Sequence, residues 1–234
     1  MGPIKESPRN KDEKRNWIWI LIILALGACE KKSELSIKDA SNQFCNCFNS
    51  QPAGTVDDRL SPCLQEIADQ KNDEWNKAGI NNPDSINQKM SRFGLDVMLD
   101  MMRTCDNYFI AINDLYDKGY PADTTQLNWK IIKELSRRIN TETNPDTVKS
   151  LLHKKAHRLI QAREFDQAFK SIDSIKTLDN RDYGANLASA YIFNQKGLYD
   201  KAVTEINKAI EISGDENLKL YAEIAKQKNR ISKK

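Results

Sequence analysis

Shifted by 34 residues, the second half of this 234-residue chain falls on itself. Ala156 then pairs with Ala190, Leu159 with Phe193 and Phe165 with Tyr199. Ala168 likewise pairs with Ala202, Ile172 with Ile206 and Ile175 with Ala209. Alanine facing alanine at helical spacing lets two helices approach closely, and the aromatic after the turn fills the space that remains. Self-similarity at this period marks stacked helical hairpins. Two copies are too few to bury a continuous core alone, so flanking segments must serve as caps. The segment holding Leu218, Tyr221, Ala222 and Ala225 suits one end, and a helix around Gln126–Ile139 with Trp129, Ile132 and Ile139 suits the other.

The preceding part of the chain reads as helix too, with no convincing strand alternation anywhere. Ile37, Ala40, Phe44 and Cys47 share one face, with Cys45 and Phe48 at its shoulder. Ser61-Pro62 suggests an N-cap and a first-turn proline, and Leu60, Leu64, Ile67, Lys71 and Trp75 mark the helix face around it. Gly79 closes that helix and Asn82-Pro83 opens a long one, in which Met98, Met101, Cys105, Tyr108, Ile112 and Leu115 recur at three and four until Gly119. Asn144-Pro145-Asp146 is a further helix start, where the repeat texture begins. The expected fold is all-α: an N-terminal disulfide-stapled helical bundle, then helix–turn–helix repeats with a capping helix.

A 34-residue period with these residue types resembles the tetratricopeptide repeat over roughly residues 149–214. Leu152 and Asn186 stand where that family carries an early aromatic, and Asn180 and Gly214 replace its closing proline. Gly197 occupies the turn of the second copy where Arg163 stands in the first. The resemblance implies a concave groove lined by His153, His157, Ile160 and Gln161, and by Leu187, Tyr191, Asn194 and Gln195. Such a lining can hydrogen-bond an extended peptide and stack on its side chains. The alternative is a scaffold, a subunit or spacer of an envelope assembly with no peptide groove.

Residues 17–29 read Trp-Ile-Trp-Ile-Leu-Ile-Ile-Leu-Ala-Leu-Gly-Ala-Cys after a basic flank of Lys11, Lys14 and Arg15. A short apolar core ending in small residues is a secretory signal. Leu26-Gly27-Ala28-Cys29 resembles the lipobox of bacterial lipoproteins, which implies cleavage before Cys29 and acylation of its sulfur. The competing reading is an uncleaved transmembrane helix. The apolar run from Trp17 to Ala28 rises only about 18 Å against a hydrocarbon core of about 30 Å. The expected organisation is therefore a signal at 1–28, a cysteine-containing helical region at 29–143 and a repeat region at 144–234. Abundant Lys, Asn, Asp and Ile resemble the usage of Bacteroidota. Glu30 stands where the enterobacterial inner-membrane retention signal carries aspartate, a resemblance that implies the outer membrane rather than the inner. The mixed-sign Glu30-Lys31-Lys32-Ser33-Glu34 differs from the acidic cluster of surface-displayed Bacteroidota lipoproteins, which favours the periplasmic face over the cell surface.

Besides Cys29, four cysteines remain: Cys45, Cys47, Cys63 and Cys105, an even number that suits disulfides in an exported protein. Helical neighbours two apart point about 200° from each other, so Cys45 and Cys47 need partners on other helices. Three connectivities exist, and pairing one of the two with Cys63 and the other with Cys105 is favoured. Zinc is a poor fit to a C-x-C pair and singletons. A thiol-redox centre built on that pair is the remaining chemical alternative.

No phosphate-cradling glycine loop, nucleophile elbow or Ser/His/Asp order is present. His153 and His157 lie four apart, but Lys154 stands where a zinc protease needs glutamate. Taking five basic and three acidic residues with the signal lowers the net charge from +3 to +1, which implies no nucleic-acid partner. The expected protein is non-catalytic, without cofactor, metal or small-molecule substrate, held to the membrane by acyl chains on Cys29 and bound to another envelope protein.

Overall fold

The computed structural model describes residues 34–51, 54–80 and 82–233, so the signal segment and Cys29 lie outside the described residues. Ser36 starts α1 (Ile37–Ser50) by accepting the Asp39 N–H, and Thr55 with Asp58 forms a reciprocal cap on α2 (Val56–Lys77). The second helix thus begins six residues before the expected Ser61 cap. Pro62 sits inside it and removes one intrahelical bond, a loss that the strong cap upstream offsets. Asn82 and Pro83 open α3 (Pro83–Thr104) as anticipated.

The long helix expected to reach Gly119 is two helices. Cys105 alone is extended (φ −120°, ψ 93°) and separates α3 from α4 (Asp106–Lys118). Apolar spacing continues through the break, so periodicity could not reveal it. Cys105 is bonded to Cys45 on α1, and Cys47 to Cys63 on α2, with Cα separations of 5.7 and 5.8 Å. Both members of the C-x-C pair therefore reach other helices, as favoured above. Phe44, Phe48, Met101, Met102 and Tyr108 fill the core between α1 and α4.

Thr125 caps α5 (Gln126–Thr141), and Asn144-Pro145 starts α6 (Pro145–Gln161). The repeat hairpins are α6 with α7 (Phe165–Leu178) and α8 (Tyr183–Gln195) with α9 (Tyr199–Ser213). Ala156 and Ala190, Ala168 and Ala202, and Ile172 and Ile206 are all buried, so the 34-residue pairs occupy equivalent core places. Both hairpin turns need a left-handed residue: Gly197 supplies it in the second (φ 72°), and Arg163 adopts it in the first (φ 62°).

A 3-10 turn at Glu216–Leu218 leads into α10 (Lys219–Ser232). Leu218 and Ala222 close the second hairpin, while Ile224 is fully buried in the core of α1–α4. Arg103 on α3 donates to both Glu223 carboxylate oxygens at 3.0 Å. One helix thus caps the repeats and closes the cysteine-stapled bundle, and Leu35–Lys234 cluster as one compact unit. At the other end, α5 covers α6 through Asn128, Ile132 and Leu135, but Trp129 faces outward, contrary to its expected place on the apolar face. Leu64 and Ile37 are also exposed; the packing faces of α1 and α2 are rotated toward Phe48 and Cys63.

Candidate functional site

Of the eight residues expected to line a peptide groove, His157, Tyr191, Asn194 and Gln195 meet a surface filled by the chain itself. The C-terminal turn of α4 and the segment after it lie across the inner face of α6 and α8. Asp117 is the centre of this contact. Its backbone carbonyl accepts from the Tyr191 hydroxyl at 3.1 Å, and its carboxylate accepts from Gln195 Nε2 at 3.0 Å and from Lys228 Nζ at 2.9 and 3.0 Å. Three helices, α4, α8 and α10, meet around this one acidic residue.

Tyrosines surround it. Tyr120 packs at a tilt on Tyr191 (ring centroids 4.4 Å apart) and on His157 (5.0 Å), and Tyr116 packs on Tyr191 and Tyr221 at 5.6 and 5.5 Å. Burial pushes the Tyr116 phenol far above its ordinary range, with the Asn194 side chain pulling it part of the way back. Among the described residues neither side-chain polar atom of the buried Asn194 is hydrogen-bonded, although the side chain faces the Tyr116 hydroxyl. Burial lowers the His157 pKa, helped by the adjacent Arg158 charge, which keeps the ring neutral above Tyr120.

The remaining candidates have structural duties. Ile160 is fully buried in the first hairpin's core. Gln161 is buried and its backbone carbonyl accepts the Asp123 N–H at 2.9 Å, tying the α4–α5 connection to the end of α6. His153 Nε2 lies 2.9 Å from Asp182 Oδ2, while the other Asp182 oxygen caps α8 by accepting the Ala185 N–H. His153 and His157 thus face different partners rather than a common ligand. Tyr191, Asn194 and Gln195 are engaged by α4, so a peptide could reach these three only by displacing it.

One part of the concave face stays open. Leu187, Ala190 and Ile206 of the second hairpin, with Leu115, Tyr116 and Tyr221, line an apolar cavity of about 400 Å³. Leu115 and Tyr221 are exposed at its rim. Of the eight candidates, only Leu187 and Tyr191 border it. The residues that sequence reasoning missed are Tyr116, Asp117, Tyr120 and Lys228. Tyr116 and Tyr120 flank a helix-ending glycine, a visible signal, but nothing local states which surface they meet.

Among the described residues, no cluster of three or more His, Cys, Asp or Glu could hold a metal ion, and no helix is long and apolar enough to cross a membrane. The fold and site together define an all-helical protein with repeat-like hairpins whose inner face is largely occupied by its own N-terminal bundle. No protein-family model matches the chain, and no curated protein or solved structure matches it either.

Proposed function

We propose that this chain is a non-catalytic lipoprotein of the bacterial cell envelope, held by acyl chains on Cys29, that binds another envelope protein through the open end of its repeat face. The observation that carries the reading is the apolar cavity between α4, α8, α9 and α10, with Leu115 and Tyr221 at its mouth. Such a recess accepts an apolar or aromatic anchor from a partner, the kind of contact that dominates interface energetics. Envelope placement rests on the Leu26-Gly27-Ala28-Cys29 ending and on the two disulfides, which suit an oxidising compartment. Glu30 in place of aspartate favours the outer membrane, and the mixed signs of residues 30–34 favour its periplasmic side. With Cys45 and Cys47 each bridged to a different helix, the C-x-C pair is a staple rather than a dithiol centre.

The occupied half of the groove favours a second reading, in which the protein is a spacer within a larger assembly. Tyr191 and Gln195 already spend their polar groups on Asp117. A photo-crosslinking side chain placed at Leu115 or Tyr221, in cells, separates the two. Discrete adducts to one envelope protein from these positions, lost in a Leu187→Asp variant and absent from a probe at Lys170, support the cavity. Identical adducts from all positions, or none from the rim, support the spacer. Mass analysis of the mature N-terminus tests the anchor independently: a retained initiator methionine without a fatty adduct removes it.

A further inference from the structure

The two halves of the chain carry opposite charge. Residues 29–125 hold 16 acidic and 10 basic side chains, whereas residues 126–234 hold 14 acidic and 21 basic. Much of the excess sits on α5, where Lys130, Lys133, Arg137 and Arg138 face a single carboxylate, Glu134. At 100° per residue, the stripe of Lys130, Lys133 and Arg137 lies opposite the buried side that packs on α6. All three are exposed. Arg137 folds back on Glu134 at 2.8 and 2.6 Å, which leaves Lys130 and Lys133 with no ion pair among the described residues. Leu127, 66 % exposed, flanks the stripe on one side, and Trp129, 39 % exposed, on the other.

An exposed leucine and tryptophan gain nothing from water, and two unpaired lysines beside them call for negative charge. We propose that the outward face of α5 rests on a membrane surface of anionic phospholipid headgroups. Lysines contact the phosphates, and the Trp129 ring sits at the headgroup level, where amphipathic aromatics are favoured. The basic stripe is central and the apolar residues lateral, so the contact is electrostatic and shallow rather than inserted. Its reach is about 8 Å at physiological salt.

This inference rests on the anchor reading for its strength. Five residues lie between Cys29 and Leu35, at most about 22 Å of extended chain, so an acylated protein meets the headgroups at high effective concentration. A contact too weak to recruit the protein from solution then suffices to orient it.

The test uses the purified full chain reconstituted in phosphatidylcholine vesicles, with or without phosphatidylglycerol. Flotation on phosphatidylcholine alone reports the anchor. Lysine acylation and hydroxyl-radical oxidation of Trp129, read per residue by mass spectrometry, report α5. Modification of Lys130, Lys133 and Trp129 should fall at least about three-fold on the anionic vesicles. High salt should restore it, and Lys170 and Lys201 should not change. In a Lys130→Glu/Lys133→Glu variant, whose sites are exposed, protection of Trp129 should vanish while flotation persists. Equal modification on both vesicle types would overturn the proposal, as would protection produced by soluble heparin but not by vesicles. Failure of flotation with protection intact would count against the anchor and not against the α5 surface.

Discussion

Replacing Asp117 with alanine should cost about 2 kcal/mol by releasing the end of α4 from the repeat face. The carboxylate accepts from Gln195 and from Lys228, and these side chains are 37 % exposed for Asp117 and 17 % for Lys228. A hydrogen bond to a charged group contributes about 1.5–3 kcal/mol when shielded, and an exposed ion pair about 0–1. At intermediate exposure each of the two contacts to other helices contributes about 1 kcal/mol, and the third, from Asn113 within α4 itself, does not tie α4 to the repeat face. Asp117→Asn keeps an acceptor for Gln195 and should lose about half as much. With a urea slope of roughly 2 kcal/mol per M, the alanine variant's midpoint should drop by about 1 M. Hydrogen exchange should speed up in α4 and α8 together. Asp114→Ala removes an ion pair with Lys118 in which both side chains are largely exposed, and it should stay within about 0.5 kcal/mol of wild type. If Asp117→Ala matched wild type, or Asp114→Ala were equally costly, the carboxylate would not be what fastens α4 in place.

The two disulfides close loops of 60 and 16 residues, so alanine pairs replacing Cys45/Cys105 and Cys47/Cys63 should lose about 4 and about 3 kcal/mol. Urea titration of the two variants checks this, and a reversed order contradicts it. Ile224→Ala should cost about 3 kcal/mol and loosen α1 as well as α9, because this side chain belongs to the bundle core while its helix caps the repeats. Exchange confined to fraying of α10 would count against that coupling. Burial alone would raise the Glu223 carboxyl, but the paired Arg103 bonds and the Gln227 amide outweigh it and hold the pKa below the usual value. A depressed folded pKa gives stability that is present above the unfolded value, about 4.3, and lost as pH falls through the folded one. Glu223→Gln should therefore lower stability at neutral pH and flatten the loss below about pH 4 in acid titrations followed by circular dichroism.

Helix content and most helix starts were legible because their causes are local. Asn82-Pro83 and Asn144-Pro145 cap from within their own segments, and the 34-residue alanine pairs need only their spacing to be seen. The Cys105 break was not legible, since apolar residues continue at three and four on both sides of it. The Ser61-Pro62 signal misled because a stronger reciprocal cap, Thr55 with Asp58, lies just upstream. For the site, spacing named eight groove residues, of which Ile160 lies in the hairpin core and His153 faces Asp182, while His157, Tyr191, Asn194 and Gln195 meet α4 and the segment after it. That Tyr116, Asp117 and Tyr120 occupy this face depends on contacts over 70 residues away in the chain, which no window along the sequence contains.

By itself, the order of residues determined an all-helical chain, a pair of stacked hairpins and which helices the cysteines had to join. Those outcomes follow from hydrogen bonding and side-chain spacing within a few turns. Tertiary structure alone decided that α10 belongs to two cores at once, that Trp129 points outward and that α4 closes most of the inner face of the repeats. Each of these is a choice among several apolar surfaces of similar chemistry. It is settled by shape and by a few distant polar pairs such as Asp117 with Lys228, which have meaning only once the helices have met.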